Sequence, residues 1–318
     1  MPIRVILPAH VHGMAFRASD ADFHGTTRSR LRGADVAHPF HGVCSVDLDT
    51  STVLGRCLAY EPRLGPGHVF SHATSAALFG MPLPMDTDAR LHVSDTGAGA
   101  APRTRGVIGH ALTAGDVAKT IHRGVPVVSA ADTWCQLAAI LPREDLVAAG
   151  DFLISGRRMR SGREAPLCTR EELASAVEKS SGRRGSRALH WALPRLRTGV
   201  DSRPESLLRL LLVAAKLPEP LVNDPTLVDD GRRTLHPDLK YERWRVAFEY
   251  EGDGHRTDKR RFRRDIVRRE LFEAAGWRVI RVMADDLADP QAFVARVRRI
   301  LRDREAFLAV LEARDVTK

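Results

Sequence analysis

Residues 235–255 read LHPDLKYERWRVAFEYEGDGH. Apolar and polar positions alternate along this stretch. Leu235, Pro237 and Leu239 interleave with His236, Asp238 and Lys240, and after a polar break Val246, Phe248 and Tyr250 interleave with Ala247, Glu249 and Glu251. A period of two is that of a strand with one covered face, so the spacing predicts two antiparallel strands joined by a short turn. With the turn centred on Glu242 and Arg243, Asp238 sits across from Ala247 and shares a face with Glu249 and Glu251. Three carboxylates on one sheet face repel one another unless a cation sits among them, and hard oxygen donors suit magnesium above other ions. The polar outer face of an ordinary hairpin has the same pattern.

The flanks add to this. Upstream, residues 206–215 form an apolar run with helical spacing at Leu207, Leu208, Leu211 and Leu212. Ser202 suits the N-cap and Pro204 the first turn. Glu205 is thereby placed in the first turn of a helix, where favourable interaction with the helix dipole is an equally good account of it. A first strand is expected over 221–228. Downstream, residues 257–275 have helical periodicity and end at Gly276. A strand over 277–283 and a long amphipathic helix over about 290–311 follow. Between 256 and 269 there are eight Lys and Arg residues against Asp258 and Asp265, a local charge of +6. Such a helix suits a phosphate backbone, or is simply a solvated surface.

Glu205, the P-D pair at Pro237 and Asp238, and E-x-E from Glu249 to Glu251, set in an αβββαβ order, resemble the PD-(D/E)XK nuclease superfamily. The pieces E-Y-E-G-x-x-H, R-R-D-I and G-W-R-V-I-R-V are similar to its Vsr-like branch, which includes the very-short-patch-repair endonucleases and the domain-of-unknown-function 559 group. The likeness covers the last third of the chain. It implies a restriction-endonuclease-like domain with a mixed sheet flanked by helices, acting on DNA with Mg2+ or Mn2+. It further implies that Asp238, Glu249 and the Tyr250 carbonyl ligate the metal, that Glu205 holds a metal-bound water, and that His255 serves as acid or base. Asp265 would orient that histidine or a water, and Lys259, Arg260, Arg263, Arg264 and Arg268 would hold nucleic acid. Glu251 departs from the pattern. The wider superfamily carries lysine there and the Vsr-like group aspartate, so catalysis would rest on the metal and His255.

The rest of the chain reads as two smaller units, giving an α+β multi-domain protein divided at 1–66, 67–199 and 200–318. Residues 1–66 suggest a degenerate winged helix, with a short helix at 19–22, a turn at 25–27 and basic residues Arg28, Arg30 and Arg32. Residues 67–199 suggest a small α/β domain. Its S-H-x-T-x-A-x-L-x-G-x-P-L-P stretch from Ser71 and S-x-A-D-T-W stretch from Ser129 resemble AbiEi-type antitoxin and regulator proteins. Trp134 reads as core. His10, His12, His38 and His41 lack the i, i+4 spacing of a helical metal motif.

A length of 318 residues allows two or three cores. The net charge of +9 favours a polyanionic partner. Cys44, Cys57, Cys135 and Cys168 form no C-x-x-C pair, which argues against a zinc knuckle or redox couple and suits a reducing compartment. The N-terminus has no charged segment leading into an apolar run, and no stretch has the length of a membrane span. The expectation is a cytoplasmic metal-dependent endonuclease, with an antitoxin-like DNA-binding regulator on an inactive nuclease fold as the alternative. Whether a protein partner or a homodimer is involved is left open.

The basic helix makes DNA affinity a test of this reading. If six or more of its cations meet phosphates, affinity measured by fluorescence anisotropy should fall by about 10³-fold or more between roughly 50 and 200 mM salt. A flat salt response would remove the helix as a phosphate contact.

Overall fold

The computed structural model describes residues 6–97, 99–113, 115–159, 162–251 and 259–315, with the side chains of 259–264 and 311–315 set aside. The fold is mixed α and β. The chain divides into two compact units, one of residues 1–149 and 168–194 and the other of 150–167 and 195–318. The boundary expected at 66 lies inside the first unit.

The first unit opens with the two-stranded sheet of β1 (Ala15–Arg17) and β2 (Val43–Ser45), with short 3-10 turns at Ala9–Val11, Ala18–Asp20 and Arg30–Arg32. The winged helix expected here is not formed. Among the described residues no α-helix precedes α1 (Val53–Tyr60). Gly25, Gly33 and Pro39 interrupt the segment, and only a small core around Val11, Phe16, Leu31 and Val46 is available to pack helices against. Arg30, one of the three arginines expected on the surface, is held in an ion pair with Asp35 at 2.6 Å.

A five-stranded sheet follows. It contains β3 (His68–Phe70), β4 (Leu91–Asp95), β5 (Val107–Ala111), β6 (Lys119–His122) and β7 (Val125–Val128) in the order β5-β4-β3-β7-β6. The helix α2 (His72–Phe79) lies between β3 and β4 in the chain and ends at Gly80, whose φ of 80° only glycine adopts without strain. Phe70, Leu78, Leu91, Val93 and Val127 build the core with Tyr60. After β7 come α3 (Ala130–Leu137) and α4 (Arg143–Ser155). Trp134 is fully buried and its indole N–H donates to the Leu146 carbonyl at 2.8 Å, so it is core as expected. The hairpin β8 (Arg158–Met159) and β9 (Gly162–Arg163) belongs to the second unit. The helices α5 (Arg170–Lys179), opened by a Thr169–Glu172 capping box, and α6 (Ser186–Ala192) complete the first. The four cysteines are free and buried.

In the second unit α7 (Arg203–Ala214) starts at Ser202, whose hydroxyl accepts from the Glu205 N–H. The strand expected over 221–228 is two pieces, β10 (Leu221–Val222) and β11 (Thr226–Val228), because Asn223-Asp224-Pro225 breaks it. The hairpin strand beginning at Leu235 is likewise two pieces. Pro237 supplies no N–H to a ladder, so β12 (Arg233–Leu235) pairs with β11 in a separate ribbon and β13 (Leu239–Tyr241) enters the main sheet. β14 (Val246–Tyr250) pairs antiparallel with β13, and after α8 (Lys259–Ala274) the strand β15 (Arg278–Val282) joins β14 in parallel. The sheet order is β10-β13-β14-β15. The chain ends in α9 (Ala284–Ala288) and α10 (Pro290–Asp315).

The register corrects the expected turn. Leu239 faces Phe248 and Lys240 faces Ala247, around a turn over residues 242–245. One step further out, Asp238 lies level with Glu249 rather than with Ala247. The shift is two residues, so the faces are preserved and the carboxylates draw closer. The sheet is also covered on both sides, where the alternation had implied one. Leu239, Tyr241, Val246 and Phe248 pack with Leu208 and Leu212 of α7 and Phe293, Val297 and Leu301 of α10. Ala247 and Val279 pack with Phe272 of α8 and Trp277.

A buried ionic network anchors α7. Arg209, 1% exposed, bonds to Asp151, 0% exposed, at 3.2 Å, to Glu219 at 2.8 Å and to the Arg195 carbonyl. Burial pushes the Asp151 carboxyl up to about 6 in spite of Arg209 and the hydrogen bonds from Arg197 and Ser206. Arg209→Ala leaves that carboxylate without its cation and is expected to cost about 3–5 kcal/mol in urea unfolding. A loss under about 1 kcal/mol would show that the network contributes little net stability.

Candidate active site

Four segments of the second unit converge at the end of the sheet where β13 begins and β14 ends. The start of α7 brings Glu205. Its side chain is 5% exposed and accepts from the Asp201 N–H at 3.0 Å, the Ser202 hydroxyl at 2.8 Å and the Asn223 amide at 3.2 Å. The residue therefore serves the helix cap and the acidic cluster together, so neither account of it from sequence excludes the other. The turn between β10 and β11 supplies Asn223, which sits at a φ of 47° that asparagine tolerates better than most residues. Its backbone N–H donates to the Asp238 carbonyl at 3.0 Å, and its side-chain amide donates to Gly199 and Glu205.

Asp238 precedes β13 and accepts the Tyr250 N–H on Oδ2 at 2.7 Å. Burial, then the nearby Asp238 carboxylate, pushes the Glu205 carboxyl up to about 8. Asp238 is also raised, to about 6, by burial and by Glu249 and Asp201, against the lowering effect of the Tyr250 N–H and Arg268. The two carboxyls titrate together, so the raised affinity for protons belongs to the pair.

Arginines enclose the cluster. Arg268 of α8 pairs with Glu249 at 2.6 Å and donates to the His236 carbonyl at 2.5 Å. It is thus committed to the acidic site, although the basic run had suggested a contact to nucleic acid. Arg158 pairs with Asp201 at 2.6 Å, and Arg163 of β9 pairs with the same carboxylate. Glu251 pairs with Arg281 of β15, and its N–H donates to the Val282 carbonyl at 2.8 Å. Asp265 lies exposed on α8, about one turn before Arg268. His255 and Arg256 lie outside the described residues. Lys259, Arg260, Arg263 and Arg264 lie on α8, with side chains outside those described.

Glu205, Asp238 and Glu249 therefore come to one place. They do not meet as tightly as a preformed metal cage. Among the described residues, the group of three ligands with donor atoms all within 4.8 Å of one another is His72, His92 and His110, in the other unit. Sequence reading missed Asp201, Asn223, Arg158 and Arg163. The N-D-P turn at 223–225 was a visible signal for Asn223, whereas the arginines come from a hairpin about 40 residues upstream of Asp201 with no local mark.

No known family profile matches the chain. It is similar to the uncharacterized protein Rv2248 of Mycobacterium tuberculosis strain H37Rv, 28% identical over 254 residues that cover 78% of this chain and 87% of that protein. The uncharacterized protein MT2308 of strain CDC 1551 / Oshkosh matches over the same length with the same identity.

The raised carboxyls make stability depend on pH with a defined sign. Unfolded, Glu205 and Asp238 ionise near their ordinary values of 4.5 and 3.8; folded, they hold protons up to about 8 and 6. The folded state binds more protons across this window, so the contribution is full below about pH 4 and is lost as pH rises toward 8. Glu205→Gln is expected to raise the urea midpoint relative to the native chain at pH 8 and to leave it nearly unchanged at pH 4. An equal effect at both pH values would refute the shared titration.

Proposed function

We propose that the second unit is a Vsr-like PD-(D/E)XK domain and that the protein is a metal-dependent DNA endonuclease. The chain order α7, β10/β11, β13, β14, α8, β15 supports the assignment, with β13 and β14 antiparallel and β15 parallel to β14. The observation that carries the functional reading is the pair of buried carboxyls, Glu205 and Asp238, each raised in part by a neighbouring acid. Burying like charges together destabilises a fold, and a divalent cation relieves that repulsion.

The donor set is all oxygen and fits Mg2+ or Mn2+: Asp238, Glu249, the Tyr250 carbonyl and Glu205 would hold it. The ion would polarise a phosphodiester and make water a better nucleophile. The chain's own residues would do the rest. Glu205 would hold a proton near neutral pH and release it as a cation enters. Arg268, held at the edge of the cluster, would place a positive charge beside the site from α8, partly filling the place of the lysine that Glu251 displaces. His255, by its position in the sequence, would carry the proton to or from the scissile oxygen. Lys259, Arg260, Arg263 and Arg264, by their position in the sequence, would grip the strand.

A second reading has its own support. Glu249 is neutralised by Arg268 and Glu251 by Arg281, which suits a DNA-binding regulator that keeps the fold without turnover. The AbiEi-like stretches in the first unit favour it as well. In both readings the partner is DNA and the chain acts inside the cell. Among the described residues no helix is long and apolar enough to cross a membrane.

A nicking assay on supercoiled DNA with Mg2+ separates the two. For a nuclease, Asp238→Ala and Glu249→Ala should each reduce the rate by about a hundredfold or more, with DNA binding retained. Cleavage that survives both changes removes the mechanism. DNA binding in EDTA with no cleavage by the native chain in Mg2+ or Mn2+ establishes the regulator instead.

A further inference from the structure

The first unit gathers three histidines that have no part in the acidic site. β4 and β5 run parallel with Ser94 facing His110. A strand alternates its faces, so His92 and Ser94 of β4 and His110 of β5 project from the same side of the sheet. The chain leaves β3, turns at Ser71, and begins α2 at His72. One ring nitrogen from each of His72, His92 and His110 lies within 4.8 Å of the others. His92 Nδ1 and His110 Nε2 are 3.0 Å apart, and the His72 and His110 rings stack with centroids 3.8 Å apart.

We propose that His72, His92 and His110 form a binding site for a divalent transition-metal cation of the zinc class. Three imidazoles make a borderline-soft nitrogen set, which selects zinc, cobalt, nickel or copper over magnesium. Two nitrogens bound to one tetrahedral zinc stand about 3.3 Å apart, close to the His92–His110 separation. His72 Nδ1 lies 3.0 Å from the Ser71 hydroxyl, which in turn accepts from Ser94 at 2.8 Å. That contact leaves the far nitrogen of His72 to a cation and orients the ring as an outer partner does in metal sites. The His72 and His110 planes are 16° apart and would not both contain one ion, so seating it requires the His72 ring to splay.

Two further features point the same way. His92 Nε2 is buried with no hydrogen-bond partner among the described residues, an uncompensated polar atom on the ring whose Nδ1 faces His110. His72 sits at a φ of 49°, a strained conformation for a residue with a side chain, held by its N–H donating to Gln136 at 2.9 Å. Three protein ligands leave a fourth position to water or a small ligand, and His110 is half-buried rather than fully enclosed.

The test uses the full chain carrying Asp238→Asn, so that the acidic site does not compete, stripped with a chelator and titrated with Co2+. One equivalent per chain is expected, with the visible absorption of a four-coordinate nitrogen site, displaced by Zn2+. His110→Gln, at a partly exposed position, and His92→Ala should each weaken binding by about a hundredfold, while His190→Gln on the exposed face of α6 should not. If His92→Ala fails to fold, His110→Gln decides. No Co2+ binding, or binding unchanged by His110→Gln, overturns the proposal. Loss of Co2+ binding here has no bearing on cleavage at Asp238, and the two readings fail separately.

Discussion

The acidic site hangs on one hydrogen bond. The β11–β12 pairing ends at Leu235, two residues before Pro237, and the chain enters the main sheet only at Leu239. At that re-entry the Tyr250 N–H donates to the Asp238 carboxylate rather than to a backbone carbonyl. This contact ties the open end of β13 to the end of β14 and brings Asp238 level with Glu249. It also supplies the carboxylate with a donor that lowers its pKa, against the burial and neighbouring acids that raise it. Without it, Asp238 would keep only the nearby Arg268 charge as compensation, and a poorly compensated buried charge normally neutralises or leaves the core.

Around that bond the molecule balances charge in two ways. Acids at the rim are met by arginines: Glu249 by Arg268, Glu251 by Arg281, Asp201 by Arg158 and Arg163. The two innermost acids, Glu205 and Asp238, are instead both raised by burial and by neighbouring carboxylates. The rim pairs fix geometry, whereas the centre is titratable. The buried Arg209–Asp151 pair does for α7 what the rim pairs do for the strands, by holding the helix from which Glu205 projects.

The two metal-binding proposals occupy separate units and differ in chemistry. The carboxylate cluster is hard and anionic and suits ions that keep their water. The histidine cluster is neutral and borderline-soft. The first set would favour magnesium or manganese and the second zinc-class cations. Gly109, beside His110, matters to the second. A Cβ there would stand 2.0 Å from the Pro102 carbonyl oxygen, so only glycine lets the preceding loop close over β5.

Local physics was legible in the chain itself. Alternation marked β14, the Ser202 cap and Pro204 marked α7, and Gly276 marked the end of α8, because each reflects a preference of a few adjacent residues. Face parity survived a wrong turn centre, since a two-residue slip returns each side chain to the same side. What depended on distant segments was hidden. The break at Pro237 moved β12 into another sheet. Residues 18–32 formed turns where helices were expected, for want of apolar surface. Arg268 pairs with Glu249, a contact that the basic run did not announce. His72, His92 and His110 carry no spacing signature, because a helix start and two parallel strands bring them together. Short-range order is written in neighbouring residues; which charges meet, and whether they share a proton, a cation or an arginine, is decided only when segments far apart in the chain are packed out of water.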